Sequence, residues 1–119
     1  MKGYTGVYLR EAMKLLEVRK PIPILFKKGK RVGVVSGKFL WDRIIIRIGR
    51  GAELESVVYV ILHELVHWKQ YLENPRAFAH AEYRKMHHDN RPWEAEANYW
   101  AEKYTSKLLE KIKEVEKCK

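Results

Sequence analysis

Residues 54–68, LESVVYVILHELVHW, constrain the chain most, because an apolar run long enough for a buried helix carries His63, Glu64 and His67 inside it. Ionisable groups in such a run are costly to bury unless something compensates them. On a helix, residues four apart share a face, so His63 and His67 can reach one point while Glu64, one step round, faces the space beside it. This HExxH pattern suits zinc, which takes neutral imidazole nitrogens in a tetrahedral set and, with one position free, lowers the pKa of a bound water to roughly 7. A carboxylate beside that water can take its proton and pass it to a leaving amine. The residues therefore imply a zinc hydrolase with Glu64 as general base, set against a bland alternative in which all three are ordinary helix residues.

Two histidines leave a third protein ligand to find. A helix broken by glycine three residues after the second His, with another His three further on, is excluded, because those positions hold Gln70 and Glu73. The helix should instead run to Asn74 and stop at Pro75. The other arrangement takes a glutamate from a second helix, and residues 90–104, NRPWEAEANYWAEKY, suit one. Asn90 can cap it, and Pro92 fits its first turn. Glu94 and Asn98 then share a face, with Ala97 and Ala101 beside them as small residues that let two helices approach, while Glu96 turns elsewhere. Glu94 is the expected third ligand, and Asn98 the group that orients a metal-bound imidazole. His80, His87 and His88, lying between the two motifs, are the rival third ligands.

HELVH followed by Glu94-x-x-Ala97-Asn98 resembles the HExxH plus ExxA(D/N) pairing of gluzincin zinc metallopeptidases, in particular the minigluzincin family. That family is similar to the catalytic domains of membrane CAAX prenyl peptidases and BlaR-type sensors. Its usual Asp at the last motif position is Asn98 here. The resemblance implies an endopeptidase with one Zn2+ per chain that hydrolyses a peptide or protein substrate bound as an extended strand. It also implies a zymogen whose C-terminal segment covers the cleft, which singles out residues 110–119 as an inhibitory or frayed tail and Cys118 as a latency ligand. A tetrahedral oxyanion needs a Tyr or His donor, for which His80, His87, His88, Tyr99 and Tyr104 are the candidates.

A length of 119 residues predicts a single domain, 1–119, with one modest core. Apolar spacing over 4–18 predicts an amphipathic N-terminal helix ended by Pro21. Residues 22–26 and 32–35 flank KKGKR as a hairpin, and 43–48 make a third strand. In that strand Ile44, Ile46 and Ile48 share one face, and Arg43, Ile45 and Arg47 the other. It leads straight into the motif helix, as does the edge strand that lines the cleft of gluzincins, so the resemblance implies that a substrate strand adds to it, with Arg43 and Arg47 attracting acidic side chains or only blunting the edge. The fold class is α+β: an N-terminal helix, a three-stranded sheet, the HExxH helix and a C-terminal glutamate helix.

Charges break every apolar run before it reaches membrane-spanning length, and the N-terminus lacks the pattern of a secretory signal. A soluble, cytoplasmic protein is expected. The lone Cys118 gives no disulfide framework. One Gln and three Asn in a chain that is 33% charged fit thermophile habit. The net charge of +9 raises nucleic acid as a partner, but its 24 cations are spread along the chain without a recognisable module, and KKGKR reads as a solvated turn. Nucleic acid is therefore an unlikely partner. The alternative to an enzyme is a zinc-stabilised regulatory protein or a basic nucleic-acid-binding one.

Overall fold

The N-terminal helix stops short of the proline expected to end it. In a computed structural model that describes residues 7–40, 42–76 and 91–117, α1 spans Val7–Leu15. Its end is a Schellman turn: the Val18 N–H donates to the Met13 carbonyl at 2.9 Å, and the Glu17 N–H to that of Lys14 at 3.2 Å. Glu17 occupies the left-handed position of this turn with φ 57°, where glycine is the usual residue. The remaining elements are β1 (Ile24–Lys28), β2 (Val35–Phe39), β3 (Ile44–Ile48), α2 (Leu54–Glu73) and α3 (Arg91–Lys117). The α+β class and the order of its elements are as the sequence predicts.

The sheet is not. Its strand order is β1-β3-β2, with β1 parallel and β2 antiparallel to β3. The expected hairpin between β1 and β2 does not form, and β3 is the central strand rather than an edge. The physical reason lies in composition: β3 reads Ile-Ile-Ile-Arg-Ile, and Ile44 and Ile46 are fully buried. The most apolar strand belongs in the middle, where both its ladders are paired. A tight turn closed by Leu40 N–H to Arg43 C=O at 2.8 Å makes β2 and β3 the local hairpin. The loop 29–34 passes over the end of β3: the Gly29 N–H donates to the Ile48 carbonyl, the Gly33 N–H to that of Arg50, and the Gly49 N–H to that of Val34. It passes so close that a Cβ on Gly49 would collide with the Arg31 carbonyl.

Helix α2 begins after Glu53, which is extended and makes no side-chain cap, and ends at Asn74 before Pro75. Val57, Val58, Ile61, Leu62, Leu65 and Val66 are buried along it. Helix α3 packs on α2 through Ala97 and Ala101, both without solvent exposure, and on α1 through its second half. Leu108 and Ile112 are buried there, and Lys111 lies 3.7 Å from the Glu11 carboxylate of α1. The helix therefore runs unbroken through the charged segment to Lys117. The indole N–H of Trp68 donates to the Lys20 carbonyl at 2.9 Å, tying α2 to the strand-entry loop. Among the described residues no helix is long and apolar enough to cross a membrane.

Relief of the left-handed strain at Glu17 is open to measurement. Glu17→Gly is expected to stabilise the fold by up to about 1 kcal/mol, read as a higher urea midpoint with unchanged slope.

Candidate metal centre

Four residues of spacing on α2 and the first turn of α3 bring three donors together. His63 Nε2 lies 3.2 Å from Glu94 Oε2, and His67 Nε2 lies 3.0 Å from Glu94 Oε1. All three ligand atoms fall within 4.8 Å of one another. The edge of a zinc tetrahedron with bonds of 2.0–2.1 Å is roughly 3.3 Å, so the two His–Glu94 separations match such an edge, while the widest of the three, 4.8 Å, would close on binding. Two imidazoles and a carboxylate are also the donor chemistry that zinc takes. The group His63, His67 and Glu94 can hold a metal ion.

Electrostatics without metal follow from the same contacts. Hydrogen bonds from His63 and then from His67 hold the Glu94 carboxyl well below the usual carboxylate range, against the opposing effect of burial. Burial alone would lower the His67 imidazole, but hydrogen bonds to Glu94 and Gln70 and the charges of Glu94 and Glu64 leave it raised. A metal ion entering here takes over the positive charge that a proton otherwise supplies.

Glu64 is buried and lies in the same cleft, a cavity of about 240 Å3 lined by Gly37, Lys38, Phe39, His63, Glu64, His67 and Glu94. Its wall opposite the histidines is β2. Gly37 on that strand comes so near the helix that a Cβ there would stand 2.7 Å from both Glu64 Cγ and Val60 Cγ1. The strand beside the site is thus β2, an edge strand, and not β3.

Asn98 does not orient an imidazole. It is exposed, one turn beyond Glu94, and its Oδ1 accepts a hydrogen bond from the Tyr59 hydroxyl at 3.1 Å. The Tyr59 ring in turn lies 6.3 Å from that of His63. His63 Nδ1 is buried and has no hydrogen-bond partner among the described residues. The orienting residue is Gln70, on His67. Its Oε1 faces His67 Nδ1 at 2.8 Å, while its amide nitrogen donates to the Trp93 carbonyl at 3.0 Å and to Glu96 Oε1 at 2.9 Å. Those two partners can only accept, so the amide has one consistent orientation and His67 must donate from Nδ1. Once Nε2 gives up the proton it shares with Glu94, its lone pair points at the centre. The signal for Gln70 was in the sequence: an amide side chain three residues after His67, on the same helix face. Glu96, expected to face away from the site, is its far anchor.

Neither Tyr99 nor Tyr104 lines the cleft; Tyr99 is 56% exposed, and Tyr104 stacks on Trp100 beside α1. His80, His87, His88, Asn90 and Cys118 lie outside the described residues. From Glu94 to Lys117 the helix extends roughly 35 Å. Cys118 is the next residue after Lys117, a step of at most roughly 3.6 Å, so its thiol reaches the site of the same chain only if the last turns of α3 unwind.

Comparison of the chain with family models, curated proteins and solved structures finds no match. The reading of the site rests on its own geometry.

Two substitutions probe that geometry. Gln70→Leu removes the acceptor of His67 and is expected to weaken zinc binding about 10- to 100-fold in a chelator competition; an unchanged affinity would remove Gln70 from the site. Gly37→Ala is expected to cost about 1–3 kcal/mol in urea unfolding as Val60 and Glu64 give way.

Proposed function

We propose that the chain is a zinc-dependent endopeptidase of gluzincin type, close in design to the minigluzincins. The observation that carries this reading is the convergence of His63, His67 and Glu94 beside Glu64 in one open cleft. His63, His67 and Glu94 would hold zinc, which would supply an acidified water and polarise a substrate carbonyl. Glu64, buried against β2, receives the proton of the attacking water and returns it to the leaving amine. Gln70 keeps His67 in the tautomer that binds metal, and Glu94 balances the charge.

A peptide substrate fits as a further strand on β2, whose outer edge pairs with no described strand. Main-chain hydrogen bonding of that kind is largely independent of sequence and leads an extended peptide past Glu64. Latency through the chain's own tail is a narrower proposal, since it requires the end of α3 to unwind.

The competing reading is a zinc ion kept for structure alone. Structural zinc is held by four protein ligands, whereas the described residues bring three to this point, with a carboxylate beside them. Glu64→Gln separates the two. It is expected to retain one zinc per chain and to lose casein hydrolysis by about 100-fold or more, while His63→Ala loses the metal. Hydrolysis by the Glu64→Gln protein at the parent rate would sink the peptidase mechanism.

A further inference from the structure

The excess positive charge is concentrated in one part of the chain. Ten of the 24 cations and one of the 15 acids lie between Arg19 and Arg50, so this stretch carries the entire net charge of +9 and the rest of the chain is neutral. The fold gathers much of it on one surface. Strand register sets Lys27 beside Arg47 and Arg47 beside Ser36, and in the next row Leu25 beside Ile45 and Ile45 beside Lys38. Ile44 and Ile46, at the alternate positions of β3, are buried, so these two rows form the sheet face turned away from the core. Lys30, Arg31, Val34, Ser36 and Arg47 line a depression of about 510 Å3 on it. Lys27, Lys30, Arg31, Lys38 and Arg47 are all exposed, and among the described residues none has a carboxylate partner.

Aliphatic side chains stand among these cations. Val32 is 70% exposed, Val34 43% and Leu25 40%, three of the five large hydrophobic residues left exposed in the described chain. A surface meant for nucleic acid would offer rings on which bases stack. Here Phe26 and Phe39 pack against the core, and the outward rows contain no aromatic residue. Lys and Arg interleaved with exposed Val and Leu suit a different anionic partner, a lipid bilayer. Headgroup phosphates attract the cations, and short aliphatic chains enter the acyl boundary.

We infer that the outer face of the sheet, centred on Lys27, Arg47 and the Lys30–Val34 loop, docks this protein on anionic membrane surfaces. The contact is peripheral and reversible. Lys38 borders both this face and the metal centre, but the cleft opens on the helix side of β2, away from Lys27, Arg47 and the Lys30–Val34 loop.

Co-sedimentation of the full chain with vesicles tests the inference. Binding is expected to vesicles of equal parts phosphatidylglycerol and phosphatidylcholine, not to phosphatidylcholine alone, and to fall as salt rises. Lys27→Glu with Arg47→Glu, two exposed positions, is expected to weaken the partition at least about tenfold with an unchanged thermal melt. Val32→Ser, which leaves the charge alone, is expected to weaken it severalfold. Equal binding to neutral and anionic vesicles would overturn the proposal, as would full binding by the double variant. Tighter binding to an oligonucleotide than to anionic vesicles at the same salt would overturn it in favour of nucleic acid.

Discussion

The carboxylate of Glu94 stands between two imidazoles, and the packing of α2 on α3 is organised around that contact. His67 is buried and His63 nearly so; without a partner each would place a polar ring in an apolar helix interface at considerable cost. Glu94 answers both at once, one oxygen to each ring. Ala97 and Ala101 follow it on the same helix with no side chain large enough to hold α2 away. The small residues and the acidic one are therefore parts of a single arrangement: the first set the distance at which the second can bridge.

Support for this contact comes from a polar chain behind it. His67, Gln70 and Glu96 join in sequence, with the Trp93 carbonyl as a second anchor, so the first turn of α3 is bonded to α2 both in front of the ring and behind it. Buried networks of this type stabilise only when every member is satisfied, and here each hydrogen of the Gln70 amide has an acceptor. His63 lacks such a partner on its Nδ1 among the described residues. The two histidines of one motif are thus held differently, one by a rigid amide and the other by packing beside Tyr59.

The sheet contributes a wall and a charged exterior. Gly37 lets β2 lie close enough to α2 for Glu64 to rest against strand backbone, which closes one side of the cleft without a side chain filling it. The other face of the same sheet carries cations with no carboxylate partner among the described residues, so a layer only one strand thick separates a site built of carboxylates and imidazoles from a surface of lysine and arginine.

Much of the site was legible before any coordinates. Positions 63, 64 and 67 are related by helix geometry alone, and Pro92 and the alanines after it place Glu94 on a helix that can approach closely; such relations are local and follow from 3.6 residues per turn. The element types and the end of α2 at Asn74 were legible for the same reason. What only the tertiary structure decided is which distant residues meet. Asn98 was the support that the sequence suggested, and the way α3 packs on α2 gave that place to Gln70. Strand order likewise turned on which of three short strands had both ladders to pair, and so the edge beside the metal centre is β2 rather than β3. Periodicity along a chain records which face a residue occupies but not what lies opposite, because that depends on packing between segments far apart in sequence.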